Sequence, residues 1–421
     1  MNQASDPRGI STGGRQPKRY LAEPDINLPT TCWPPIGYEE KQWESAHDPA
    51  HSRRQRLRAR GPYQAAIAPE ISNAQPLVSG QTAALVEEAT IETVRFDRDL
   101  GDDAAPFAAL LLRSESAASS QIENLTVGAK RIALAQLGDR SSSNAALVAS
   151  NISAMAAAVD LADNLDETNI LAMHRALLGP SEPLMAGHYR TEAVWIGGNS
   201  PHTAMFVPPS YEHIPEAMAD LISFMRRDDI PALTQAAIAH AQFETIHPFP
   251  DGNGRTGRAL VGSMLRNKGV TEKVTIPVSS GLLTDTKAYF DALGAFREGD
   301  IVPIVEMFAE STFRATANGR QLAEDIGNIR QQVYAEFGRA PGEGLKWAAE
   351  LILREPAITA QILSDTAGQS SSAAYRNIER LEKAGALKLS GHINGHRVWI
   401  APKVIEALDN FAARAGRRAR G

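Results

Sequence analysis

The chain has 421 residues, beyond the size at which one hydrophobic core usually stops growing, so two or three domains are expected. Its composition, 43% hydrophobic and 22% charged with 6% aromatic residues, is that of a soluble globular protein that favours helix over sheet. A formal net charge of -6 argues against coating nucleic acid or membrane along the whole length, and a single cysteine, Cys32, excludes an internal disulfide and a cysteine-rich metal cluster.

In chain order, residues 1–30 are rich in Gly, Pro, Ser and Arg and read as a flexible lead with no secretory signal. The run 51–61 holds Arg53, Arg54, Arg56, Arg58 and Arg60, a solvated face or, alternatively, a contact for nucleic acid or membrane. Nowhere do about 18 apolar residues run together without charge, so a cytoplasmic protein with no spanning helix is expected. Helical texture starts at Gln81. An apolar stripe through Phe107, Leu110, Leu111, Ala117 and Ile122 predicts a helix over 105–123, and 126–137 predicts another, stopped by Gly138. Helices follow at 145–162 and 167–178. Next comes a stretch broken by Pro and Gly, where 191–196 and 204–207 read as strands of a hairpin around Gly197-Gly198-Asn199-Ser200-Pro201. Helices resume at 211–227, 231–246, after Gly254, and at 286–296. A connecting helix is expected at 322–337, with a boundary at Ala340-Pro341-Gly342.

The densest chemistry lies in His247-Pro248-Phe249-Pro250-Asp251-Gly252-Asn253-Gly254-Arg255-Thr256-Gly257-Arg258. Pro248 and Pro250 end the preceding helix. Gly252, Asn253 and Gly254 tolerate positive φ and let backbone N–H groups curl into an anion-binding nest, which the N-terminus of the next helix extends. Arg255 and Arg258, three apart, share the helix face beside it. Asp251 offers a hard oxygen to Mg²⁺, and His247 stands at the rim, where a neutral imidazole can take a proton from a hydroxyl. Singly, each feature is commonplace. Together, within twelve residues, they make a phosphoryl-chemistry site.

This segment resembles the signature of Fic enzymes, H-P-F-x-[DE]-G-N-G-R-x-x-R, at every defined position, and the resemblance runs from about Ser114 to Phe308. It implies that His247 is the base that activates a Ser, Thr or Tyr hydroxyl of a target protein, the chain itself included. Phe249 would anchor the loop, Asp251 would hold Mg²⁺ between the α- and β-phosphates of ATP, Gly252, Asn253 and Gly254 would cradle those phosphates, and Arg255 and Arg258 would bind the β/γ end. The Doc-type kinase branch departs at the second glycine of the nest. Gly254 keeps it, which favours transfer of AMP. Ile196 and Gly197 fall in the family's flap, which holds the target as an added strand, and Tyr289 falls beside the adenine. Many relatives have two adjacent tyrosines where Tyr289-Phe290 stands.

Asn124 reads as a left-handed helix cap, which places Glu123 at a helix C-terminus, where the macrodipole disfavours a carboxylate unless a cation compensates. With Ser119 one turn earlier, the segment resembles the Fic inhibitory motif, [ST]-x-x-x-E-[GN]. The resemblance implies that Glu123 pairs with Arg258 and obstructs the γ-phosphate. In some relatives the same glutamate supports the reverse reaction, removal of AMP, and the sequence does not separate the two directions.

Towards the C-terminus, Thr359 caps a short helix to 365, Ala367-Gly368-Gln369 turn, an amphipathic helix spans 370–384, and strands at 387–389 and 397–400 flank His392-Ile393-Asn394-Gly395-His396. That order resembles a winged helix. Arg376, Arg380 and Lys383 allow DNA contact through 346–421, and with it a DNA-binding regulator whose Fic core only senses nucleotide, whereas Glu379 and Glu382 favour a protein-contact or homodimerisation module. The expected fold is mainly α: a Fic helical core with a β-hairpin flap, plus a C-terminal winged helix. Its divisions are a lead at 1–30, an N-terminal helical region with the inhibitory helix at 31–140, the catalytic core at 141–315, a connecting helix at 316–345, the winged helix at 346–405 and a basic tail at 406–421.

Overall fold

The computed structural model of the chain describes residues 33–44, 60–100, 104–337 and 341–416. The flexible lead, Cys32, the arginines at 53–58, the boundary residue Ala340 and the last arginines of the tail lie outside the described residues.

The span 31–140 opens with strands rather than helices: β1 (Gly37–Glu44) pairs antiparallel with β2 (Arg60–Ile67), from Gly37↔Ile67 to Glu44↔Arg60. Helices then dominate. α1 (Gly80–Asp99) starts where Ser79 accepts from the Thr82 N–H, a side-chain cap for an otherwise orphan donor. α2 (Ala104–Ile122) ends at Asn124, whose φ of 62° turns the chain as expected. The order continues with α3 (Ala129–Gln136), α4 (Ser143–Asp160), α5 (Glu167–Leu178), α6 (Ile214–Met225), α7 (Ala232–Ile246), α8 (Asn253–Asn267), α9 (Val278–Leu282), α10 (Thr286–Arg297) and α11 (Val302–Ala335).

All of α7 from Leu233 to Ile246 is buried, so this helix has no solvent face and forms the axis against which α6, α8 and α11 pack. The expected connecting helix at 322–337 is the second half of α11, which runs unbroken for 34 residues because no proline interrupts it after its first turn. Gly319 sits within that run because α1 approaches closely there: a Cβ would meet Phe96 Cζ at 2.7 Å.

The flap has less ladder than its sequence suggests. Pairing reduces to one antiparallel bridge, Ile196↔Phe206, since Gly197 and Gly198 adopt φ of 70° and 77° and Pro208-Pro209 brings no N–H. Neighbours support it: the Ala66 N–H donates to Val207 O at 3.0 Å, and Trp43 packs edge-on against Trp195 at 5.0 Å.

The C-terminal region has the expected helix–turn–helix and wing. α12 (Glu343–Arg354) leads into β3 (Ala357–Thr359), α13 (Ala360–Ala367), α14 (Ser371–Lys383), β4 (Lys388–Ile393), β5 (His396–Ile400) and α15 (Pro402–Ala415). The strands form one antiparallel sheet, ordered β3-β5-β4, turning at Asn394-Gly395. Arg376 and Arg380 are exposed on α14, whereas Lys383 pairs with Glu379 at 3.1 Å. α15 packs on α2 and α11, so one hydrophobic core runs from Trp33 to Phe411.

Candidate active site at the 247–258 loop

α7 ends at His247, whose N–H still donates to Phe243 O at 2.8 Å while its φ is 51°. A following proline disfavours the right-handed helical region for the residue before it, which explains a stop here. Phe249 is fully buried and stacks on His174 at 3.7 Å with the rings nearly parallel. The Asn253 side chain clasps the loop twice, accepting from the Phe249 N–H and donating to Phe249 O, each at 2.8 Å. Gly252, at φ 77°, then caps α8.

The start of α8 is where an anion is favoured, by unpaired N–H groups and the helix dipole together. A carboxylate is already there. Glu123 accepts from Arg258 Nη2 at 2.9 Å, and a Cβ built on Gly254 would lie 2.1 Å from Glu123 Oε1. Gly254 is therefore needed for clearance, with no positive φ to explain it. Arg258 is buried and also donates to Ser119, through Nε to the hydroxyl at 2.9 Å and through Nη2 to the carbonyl at 2.8 Å. Burial opposes its charge, but Glu123, Tyr289 and Glu244 more than offset that and hold its pKa above the ordinary arginine value.

Arg255 is nearly buried. Its Nη2 donates to Asp251 Oδ2 at 3.1 Å, while Nε and Nη1 have no partner among the described residues. Asp251 is open, 64% exposed. Its carbonyl meets His174 Nε2 at 3.0 Å, and His174 Nδ1 accepts from the Gly187 N–H at 2.9 Å, which leaves the ring proton on Nε2. The His247 ring is one-fifth exposed, and burial, then Arg190 and Arg297, push its pKa down to about 3, so it is neutral at ordinary pH.

The structure thus brings His247, Asp251, Gly252, Asn253, Gly254, Arg255, Arg258, Ser119 and Glu123 to one place. Ile196 and Gly197 sit at the flap's bridge, with Met205 almost fully exposed opposite them. Tyr289, expected beside the adenine, is buried with Ala292, Leu293 and Phe296 on the inner face of α10, and its hydroxyl bonds His240 Nε2 at 2.8 Å. Phe290, next along, is half exposed.

Sequence reading missed Arg190. Its guanidinium donates to His247 O at 2.9 Å, Glu192 O at 3.0 Å and Pro209 O at 2.6 Å, tying loop to flap. It also missed His174 and the buried carboxyls Glu115 and Glu244. A charged residue inside a Pro- and Gly-broken stretch was the one available hint of Arg190.

Residues 164–265 match the Fic/DOC family. The chain is 34% identical over 152 residues to protein adenylyltransferase fic-1 of Caenorhabditis elegans, covering 35% of this chain and 27% of that protein. It is 32% identical over 154 residues to protein adenylyltransferase Fic of Drosophila mojavensis, covering 34% and 27%. The match thus spans about a quarter of the length of these curated relatives. A solved Fic family protein from Desulfovibrio desulfuricans G20 shares the fold, with TM-score 0.51 and 20% identity over 77% of this chain and 98% of that one. Among the described residues, no helix is long and apolar enough to cross a membrane.

Proposed function

We propose that this chain, whose residues 164–265 form a Fic/DOC-family domain, transfers AMP from ATP to a Ser, Thr or Tyr hydroxyl of a protein, itself included, and that Glu123 restrains the transfer. The names of its relatives support the activity, and the observation that carries the restraint is the carboxylate of Glu123 seated on Arg258 at the start of α8. In this reading His247 Nε2 takes the hydroxyl proton, the hydroxyl oxygen bonds the α-phosphorus, and the bond from that phosphorus to the bridging oxygen breaks to release pyrophosphate. Arg255, with two unpaired buried donors, and Arg258, once freed, would neutralise the phosphates. The donor set suits Mg²⁺: a single open carboxylate, Asp251, is what that ion takes when phosphate oxygens and water complete its shell. Bound there, it would supply charge neutralisation.

Glu123→Gly tests the reading with labelled ATP and Mg²⁺. Freeing Arg258 restores a charge-assisted contact worth about 1.5–3 kcal/mol, so self-labelling should rise roughly 10- to 100-fold. Adding His247→Ala should return labelling to background while ATP affinity stays within a few-fold. No gain on Glu123→Gly sinks the restraint. If wild type instead strips AMP from labelled protein and Glu123→Gly does not, the net direction is removal.

A further inference from the structure

One turn before His247, α7 carries a carboxyl group that the chemistry above does not use. Glu244 is 7% exposed, its Oε1 has no hydrogen-bond partner, and its Oε2 lies 3.8 Å from His247 Nδ1, itself buried and unpaired. α8 makes room for it through Gly257, where a Cβ would stand 3.2 Å from Glu244 Oε1. A buried polar group without partners is costly, and such groups concentrate where function requires them. For His247 to accept a proton on Nε2, Nδ1 must carry hydrogen, and that hydrogen needs an acceptor.

We propose that Glu244 is a positioning residue for AMP transfer: its carboxylate accepts the Nδ1–H of His247, leaves Nε2 bare, and stabilises the imidazolium formed when the target hydroxyl gives up its proton. This rests on the proposed AMP transfer. The transferred proton goes to Nε2, the Nδ1 hydrogen stays on the ring, and Glu244 touches no reacting atom. The gap must close by about 1 Å to make a charge-assisted bond, a tightening that catalytic pairs commonly undergo on binding. The main-chain carbonyl of Glu244 also faces Nδ1, so the charge of the side chain is what has to be tested.

The surroundings couple this contact to Glu123. Glu244 is faced by Arg258 from α8, by Arg297 and Tyr289 from α10, by Glu123 beyond the end of α2, and by His240 and His247 on its own side. Burial lifts its carboxyl to about 7, Arg258 opposes the rise, and Glu123 adds to it. Departure of Glu123 therefore favours the ionised form that accepts from His247.

The test compares Glu244→Gln with its parent, both in the Glu123→Gly background. The variant should lose about 10- to 100-fold in kcat, part of the roughly 10²–10⁴-fold that general-base catalysis supplies, with KM for ATP unchanged. The rise of the parent's rate with pH, lying below about 7 because Glu123 no longer raises the Glu244 carboxyl, should also disappear. Independently of activity, ¹⁵N-histidine NMR, with His247 assigned by its loss in His247→Ala, should show the Nδ1–H tautomer in the parent and a mixture in the variant. Unchanged kcat, pH profile and tautomer would overturn the proposal. A parent without AMP transfer would sink the functional reading instead, and the tautomer would still decide the contact. Should Glu244→Gln fail to fold, Glu244→Asp keeps the charge further from the ring: a slower rate that still climbs with pH supports the role, and a wild-type rate opposes it.

Discussion

Glu115 lies on α2, about two turns before Glu123, yet its carboxyl is buried and receives both the N–H of Ser279, at 2.9 Å, and the Ser279 hydroxyl. Burial lifts it to about 7 against an ordinary value of 4.5, with Ser279 and Arg258 opposing. The folded chain therefore holds this proton more tightly than the unfolded chain does. Stability from it is present below about pH 4.5 and is lost as pH rises through about 7. His174, His240 and His247 run the other way: burial pushes them to about 4, 3 and 3, so folding loses stability as pH falls through their unfolded value near 6.5. A single melting curve mixes both effects, whereas the difference between wild type and Glu115→Gln isolates the carboxyl. From about pH 8 to about pH 5.5, urea titrations should show wild type gaining about 1–3 kcal/mol on the variant, and a constant difference would remove the shift. The contrast with the 247–258 loop is instructive. That loop was legible because twelve contiguous residues carry their own turn, cap and charges. Glu115 depends on Ser279 and Arg190 on Pro209, partners that meet only once the helices have packed, and no local pattern announces them.

Between elements, the flap and the loop are joined by one side chain. The segment 190–209 makes almost no ladder, so its carbonyls need other donors. Arg190 donates to two of them, at Glu192 and Pro209, and to His247 O of the loop, and its own N–H reaches Pro248 O at 3.0 Å. This explains why helix boundaries such as Glu167–Leu178 could be read from caps and periodicity while the flap could not: its geometry is set by a guanidinium fork rather than by strand pairing. Arg190→Met should leave those carbonyls unpaired and cost about 2–4 kcal/mol in urea unfolding, short of a full sum because such terms are not additive. Arg190→Lys should recover little, since one ammonium cannot reach three directions at once. A near-wild-type midpoint for either variant would show that the flap is held by Trp43 and Ala66 instead.

Across the whole molecule, α2 lies between the 247–258 loop and the winged helix. At its end Glu123 meets Arg258. Midway, Arg113 donates to Arg354 O at 2.8 Å and pairs with Glu355. Beyond it, α3 begins at Gly128, which has no side chain to cap it, and Asp409 of α15 accepts from the Ala129 N–H at 2.9 Å in its place. The turn from Glu123 to Gly128 is thus pinned at one side by Arg258 and at the other by the C-terminal module. Behind α2, a mostly apolar cavity of about 50 Å³ lined by Ala117, Ala118, Leu408 and Phe411 leaves this seam less than fully packed, so a small loss there can be felt as movement. Asp409→Ala removes a cap, worth about 1 kcal/mol. Hydrogen exchange should speed up at Ala129 and through 124–128 while the core helix α7 stays protected. If the turn transmits that slack to Glu123, ATP affinity should rise about 2- to 5-fold, the scale of the lost cap, and the gain should vanish when Asp409→Ala is combined with Glu123→Gly. A gain that persists in the double variant would mean that Asp409 acts on the site by another route. Faster exchange with no change in affinity would mean that Arg258 alone holds Glu123 in place.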